Sequence, residues 1–221
     1  ILASGGSLNI KASNTNGVAN YNLKANGASI NTASATASYA FNHTNITGNQ
    51  NYELEVTQGT TTIVKKFTAV VSPTVVSETI PAGLVDGINY NPNDATKATL
   101  VLDAPLKDFV YVAGSFNNWQ PTAAYAMKKD ASAGSTKFWL ELTGLTAGTN
   151  YTYQYWVVDQ TPLAGSPSLV KAADPYSTLV LSPYDDGGIP ATSFPNLPAY
   201  PSGQEREVTW FKTGTVPYNW Q

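Results

Sequence analysis

The chain has no cysteine, a single histidine (His43) and a single arginine (Arg206) among its 221 residues. The lack of cysteine excludes thiol nucleophiles, disulfide frameworks and thiolate zinc sites. A Ser-His-Asp relay would have to be built on His43, which stands in an Asn-rich stretch that reads as a solvated turn. Charge is scarce too: Asp, Glu, Lys and Arg make up 12% of the chain, and the net charge is −3. Nothing here offers the basic surface that grips a phosphate backbone, so nucleic acid is excluded as a partner. No apolar run approaches the roughly 20 residues of a membrane-spanning helix, and no basic segment followed by an apolar one marks a leader. No stretch of useful length has the 3.6-residue periodicity of an amphipathic helix. Ile1 at one end and Asn219-Trp220-Gln221 at the other read as cut ends, so the sequence is expected to be a piece of a longer protein.

What the chain has instead is short period-2 alternation between polar turns. Hydrophobic residues, at 42%, suffice for packed cores, and the length suits one large or two small domains. Ser7-Leu8-Asn9-Ile10-Lys11-Ala12 alternates; Tyr21-Asn22-Leu23-Lys24-Ala25 does so again and stops at Asn26-Gly27, a dipeptide suited to a two-residue hairpin. Ser38-Tyr39-Ala40-Phe41, Tyr52-Glu53-Leu54-Glu55-Val56 and residues 62–71 continue the series, the last two joined through Gln58-Gly59. This spacing predicts an immunoglobulin-like β-sandwich over residues 1–80, without the Cys-Trp-Cys core of antibody domains. Ser72-Pro73 and Ile80-Pro81-Ala82-Gly83 punctuate a domain boundary, with Thr74-Val75-Val76 extending the last strand of the first sandwich. A second sandwich is predicted over residues 81–181, from strands near 84–90, 98–102, 109–112, 137–142 and 151–158. From 182 to 221, Pro183, Pro190, Pro195, Pro198, Pro201 and Pro217 are too dense for regular structure. That segment is expected to lie extended along a surface, with Val208-Thr209-Trp210-Phe211 able to pair as one edge strand. The expected fold class is all-β: two tandem immunoglobulin-like β-sandwiches followed by an extended Pro-rich segment.

Catalytic chemistry is hard to place on this sequence. Glycoside hydrolysis needs two carboxylates facing one another about 5–9 Å apart. Asp185-Asp186-Gly187-Gly188 supplies adjacent acids, but neighbours in a turn point apart; an Asx-turn is the plainer reading and a calcium site a weaker one. Asp174, before Pro175, reads as a turn cap. No cofactor and no metal site is expected. The three Asn-x-Thr sequons at Asn42, Asn45 and Asn150 arise readily in an Asn- and Thr-rich chain. Binding, by contrast, has candidates, because sugar rings pack their C–H faces on indole and phenol rings while hydroxyls pair with amides. On the strand from Lys137, Phe138, Leu140 and Leu142 share one face, and Trp139 and Glu141 the other. On the next long strand, Tyr151, Tyr153 and Tyr155 oppose Thr152, Gln154 and Trp156. Alternation leaves open which face is core. Aromatics on both faces imply that the second face is covered as well, by the Pro-rich tail or by a domain outside this sequence.

The stretch from Asp108 to Trp119, Asp-Phe-Val-Tyr-Val-Ala-Gly-Ser-Phe-Asn-Asn-Trp, is an alternating strand broken at Gly114 and ending in a polar turn that presents an indole. It suits a sugar-facing loop and equally a hairpin corner with its Trp tucked inwards. Val110 to Trp119 resembles the signature of the family 48 carbohydrate-binding modules, which are β-sandwiches. Phe138-Trp139-Leu140-Glu141-Leu142, Gly144-Leu145-Thr146-Ala147-Gly148, Tyr153-Gln154-Tyr155-Trp156-Val157-Val158-Asp159 and Ala173-Asp174-Pro175-Tyr176-Ser177 agree in order. Over residues 84–221 the chain is similar to the non-catalytic N-terminal region of secreted α-amylase-family (glycoside hydrolase family 13) enzymes of the Bacteroidetes type. The resemblance implies an α-glucan partner (starch, glycogen or maltooligosaccharides), a covalently linked catalytic domain, and a bacterial protein that is secreted or at the cell surface. It places Trp119 at the position that stacks on glucose, with Asn117 and Asn118 beside it, and Gln154 where the family uses a lysine. The family's second stacking Trp falls near Pro162 or Leu163 and is missing. Two readings stay open: a weak sugar-binding module centred on Trp119, and a structural spacer or docking scaffold for the catalytic barrel with no sugar site. A cell-surface adhesion protein built of immunoglobulin-like repeats accounts for the first domain only.

Overall fold

The computed structural model describes residues 1–214, and the end of the Pro-rich segment, 215–221, lies outside the described residues. The chain separates into two compact units, Ile1–Pro73 and Thr74–Gln221. Among the described residues, apart from three short 3₁₀ turns, the elements are β-strands, so the all-β reading holds.

In the first unit the strands are β1 (Gly6–Ser13), β2 (Ala19–Ala25), β3 (Ala28–Thr36), β4 (Ser38–Ile46), β5 (Gln50–Gln58) and β6 (Thr61–Ala69). Antiparallel pairing gives a two-stranded sheet, β1-β4, and a four-stranded sheet in the order β3-β2-β5-β6. Asn26 and Gly27 both take positive φ, 49° and 84°, which gives the β2–β3 hairpin the twist that its strands require. Alternation along β2 sends Ala19, Tyr21, Leu23 and Ala25 inward. They meet Ile10 and Tyr39 from the smaller sheet and Tyr52 and Leu54 from β5, with Tyr21 and Tyr39 stacked at 5.3 Å. His43 is not in a turn. It lies on β4, half-buried, with Nδ1 2.6 Å from the Tyr52 hydroxyl, a packing role.

In the second unit β7 (Gly87–Tyr90), β8 (Ala98–Asp103), β10 (Lys128–Lys129) and β11 (Lys137–Leu142) form one sheet in the order β10-β11-β8-β7. The other contains β9 (Phe109–Gly114), β12 (Asn150–Val158), β13 (Leu169–Ala172), β14 (Val180–Leu181) and β15 (Val208–Lys212), with β12 pairing β9, β13 and β15. The two sheets share one core: Leu100, Leu102, Phe138 and Leu140 from the first meet Val110, Val112, Tyr153, Tyr155 and Phe211 from the second. This settles both ambiguous strands. The even-numbered face of β11 and the Tyr face of β12 are core.

The opposite faces are covered too. Trp139 is buried, donates its indole N–H to the Glu78 carbonyl at 2.8 Å, and has the Lys128 ammonium 4.3 Å over its ring. The segment that covers it is 76–80, through backbone bonds between Val76, Glu78 and Lys129. Residues 74–76 therefore do not extend a strand of the first unit; the division falls at Pro73/Thr74 rather than 80/81. Nor does the second unit close at 181. Val208–Lys212 pairs with β12 on one side and β14 on the other, and Val208, Thr209 and Phe211 are buried, so β15 is an internal strand rather than an edge one.

Candidate functional site

The site grows out of the end of β9. Gly114 closes that strand opposite Tyr153, and the chain then makes one 3₁₀ turn over Ser115–Asn117. Three anchors fix the turn. The Phe116 ring packs among Tyr125, Tyr151 and Phe211 with centroids 5.7–6.3 Å away. Ser115 Oγ accepts the Thr152 backbone N–H at 3.1 Å, tying the turn to β12. The Asn117 carboxamide reaches back along β9, accepting the Gly114 N–H at 2.9 Å and donating to the Val112 carbonyl at 2.9 Å.

After this turn Asn118 and Trp119 both adopt left-handed φ, 52° and 58°. Asn tolerates that region, but a bulky residue such as Trp seldom enters it, because its Cβ crowds the following carbonyl. The conformation is held by the Trp119 N–H to the Gly114 carbonyl at 2.9 Å and the Gln120 N–H to the Asn117 carbonyl at 3.0 Å. Asn118 is exposed and Trp119 half-buried. Of the four residues expected at the site, Asn118 and Trp119 thus stand together at the surface, and Asn117 holds the turn beneath them. Replacing Asn117 by Ala removes two backbone-directed hydrogen bonds and is expected to cost about 2 kcal/mol. Thermal melting of the second unit reads this.

Gln154 is elsewhere. It is 1% exposed, and its Nε2 lies 2.6, 3.3 and 3.0 Å from the carbonyls of Glu205, Arg206 and Glu207. The physical reason is the covered second face of β12: the chain entering β15 crosses it, and the carboxamide serves that backbone instead of facing solvent. Its Oε1 is buried with no hydrogen-bond partner among the described residues, as are the indole N–H groups of Trp156 and Trp210. Lys171, opposite Trp156 on β13, places its ammonium 4.9 Å over that indole, and burial pushes its pKa down while Glu205 opposes the shift. The sequence signals that could have found Ser115 and Phe116 as positioning residues are slight, since a Ser and a Phe before Asn-Asn look like any turn.

The acids are structural. Asp174 is buried and accepts hydrogen bonds at Oδ2 from the Tyr153 and Tyr155 hydroxyls at 2.7 and 3.0 Å, and at Oδ1 from the Tyr176 N–H at 2.8 Å. Asp185 accepts a bond from Ser182 Oγ at 3.2 Å. Among the described residues no group of three or more His, Cys, Asp or Glu side chains is placed to hold a metal ion, and no helix is long and apolar enough to cross a membrane.

No family model matches the chain, and no curated protein sequence matches it. Among solved structures it is similar to the Group B Streptococcus pullulanase SAP in complex with maltotetraose (14% identity, 86% of this chain, 24% of that one, TM-score 0.33). The pullulanase SAP structure solved separately gives the same identity and TM-score over 85% of this chain. A biofilm-associated protein BSP domain follows at 15% identity, covering 79% of this chain and 29% of that one, with a TM-score of 0.24. The chain spans about a quarter of the pullulanase's length. Superpositions this loose carry no residue role or activity across.

Proposed function

We propose that this chain is a non-catalytic accessory region of an α-amylase-family glycoside hydrolase, secreted or held at a bacterial surface, and that its second unit is a family 48-like module that engages α-glucan at Trp119. The observation that carries the reading is the turn after β9, where a Trp is held in a conformation that costs energy, half-exposed beside the exposed Asn118. Strain of this kind persists only where the surroundings over-determine it, and it concentrates at binding sites. The indole supplies a stacking face and Asn118 an amide for sugar hydroxyls. The ordered motifs from Val110 to Ser177 support the same family, with an immunoglobulin-like topology for both units and a catalytic domain beyond residue 221.

Burial of Gln154 favours a second reading, in which the units only position the catalytic domain. One platform without a charged partner is expected to bind maltoheptaose with a Kd in the high-micromolar to millimolar range, about −4 to −5 kcal/mol. Titration with maltoheptaose and β-cyclodextrin, followed by tryptophan fluorescence and calorimetry, tests this. Saturable binding that Trp119→Ala abolishes supports the module. No response at ~10 mM, well above a millimolar Kd, leaves the scaffold.

A further inference from the structure

The first unit carries a concave polar surface that the reading above does not use. It lies on the face of the four-stranded sheet turned away from the core, with a volume of about 410 Å³, inside the range of small-ligand sites. Its walls follow from register. Asn20 pairs with Thr57, and Asn22 pairs with Glu55 on one side and Thr32 on the other, so outward side chains form parallel rungs across β5, β2 and β3. The hollow exists because the residues of β3, Ala28–Thr36, that line it are small: Ser29, Thr32, Ala33 and Ser34.

The strand is also bent. Its register against β2 shifts twice, between Ala19 and Tyr21 and between Leu23 and Lys24. Extra residues of this kind curl a strand and re-aim its side chains, often beside functional sites. At the first shift Ala35 takes φ 51°, with its N–H held by Asn20 Oδ1 at 2.9 Å. A non-glycine residue in that region is strained.

The polar groups are fixed in place. Ser29 Oγ donates to Asn22 Oδ1 at 2.6 Å, and Asn22 Nδ2 donates to Glu55 Oε2 at 2.9 Å. The Lys24 ammonium holds the other Glu55 oxygen, and hydrogen bonds from Lys24 and Asn22 draw the Glu55 pKa down. The carboxylate is thus charged, already balanced, and an acceptor of set direction. The lining has no guanidinium or ammonium to take an anion, and no exposed aromatic platform. It combines amide, hydroxyl and carboxylate groups on a row of neighbouring rungs, which is the chemistry that recognises hydroxyls at intervals along a chain.

We propose that this hollow is a second binding site, for a short neutral oligosaccharide held by hydrogen bonds rather than by stacking. It is independent of Trp119, which lies in the other unit. The test is a ¹⁵N chemical-shift titration of the full chain carrying Trp119→Ala, with maltoheptaose, cellohexaose, xylohexaose and mannohexaose in turn. Saturable shifts in the amides of residues 20–34 and 53–57 with at least one of them are expected. Asn22→Ala should weaken that response at least tenfold. Thr32→Leu, at an exposed edge position that leaves the core untouched, should do the same by filling the hollow, and so covers the case in which Asn22→Ala loosens the fold. No shifts in these segments with any of the four, or shifts that both substitutions leave unchanged, overturn the proposal. Shifts confined to the second unit of the unsubstituted chain overturn it while leaving the Trp119 reading intact.

Discussion

Asp174→Ala is expected to lower the melting temperature of the second unit by on the order of 10 °C while leaving the first unit's transition in place. Asp174 lies between the last residues of β13 and the turn leading to β14, is 2% exposed, and takes the hydrogens of two buried phenols, Tyr153 and Tyr155. Its own N–H is held by Thr209 Oγ1 of β15 at 2.7 Å, so one residue joins β12, β15 and the β13–β14 connection. Truncation removes the acceptor that both buried hydroxyls share and frees the Tyr176 N–H, and at 1–3 kcal/mol for each buried group left unpaired the total is about 4 kcal/mol. Asp174→Asn should cost less but more than nothing, because its amide nitrogen can replace neither acceptor oxygen, and one set of bonds must go. Burial, reinforced by the neighbouring Asp174 charge, holds both phenols well above their ordinary pKa. They stay protonated in the folded unit when the unfolded chain already ionises near pH 10. Their contribution is therefore complete below about pH 10 and declines as pH rises beyond it. Calorimetric scans from pH 7 to 11 show both effects as a moving second-unit transition. An unmoved second transition in Asp174→Ala contradicts the network.

The parts of this architecture that were legible in the sequence are those where a local rule decides. Tyr21-Asn22-Leu23 alternates and Asn26-Gly27 turns, and the structure has a strand and a hairpin there. β3 was not legible, because Ala28–Thr36 contains only small and polar residues apart from Ile30 and has no apolar rhythm. That same smallness makes the hollow beside it. The faces of β11 and β12 could not be assigned from alternation, since Trp139 and Trp156 are as apolar as the residues behind them. What decides is which remote segment covers the second face, and residues 76–80 and 205–207 become neighbours only in the folded chain. The same cause removed Gln154 from the surface. At the turn, Asn118 suits a left-handed φ, but nothing in the identity of Trp119 announces one; the Trp119 N–H bond to the Gly114 carbonyl and the Gln120 N–H bond to the Asn117 carbonyl impose it.

Gly114→Ala is expected to disable the turn and, with it, the sugar site proposed at Trp119. Gly114 has φ −162° and ψ 178°, extended backbone that any residue adopts, so conformational preference is not the reason for glycine here. Space is. A Cβ at this position would lie 2.6 Å from the Thr152 carbonyl oxygen and 2.7 and 2.8 Å from Cε1 and Cζ of Phe116. The first is backbone of the adjacent strand, and the second is a ring locked among Tyr125, Tyr151 and Phe211. Neither can yield without parting β9 from β12 or expelling Phe116 from the core. Overpacking of this kind costs about 3 kcal/mol. The strain falls on the residue whose N–H and carbonyl fix Asn117 and Trp119, so on the proposed reading α-glucan binding falls at least tenfold even at temperatures where the unit remains folded. Gly188→Ala is the matched control, since a Cβ there meets nothing within 4 Å, and it should change neither melting nor binding. Paired melting curves and maltoheptaose titrations separate the outcomes. Loss of stability together with binding places the sugar contact on this turn. A destabilised Gly114→Ala chain that binds maltoheptaose with undiminished affinity shows that the contact lies away from Trp119, and the assignment of that residue as the platform then fails.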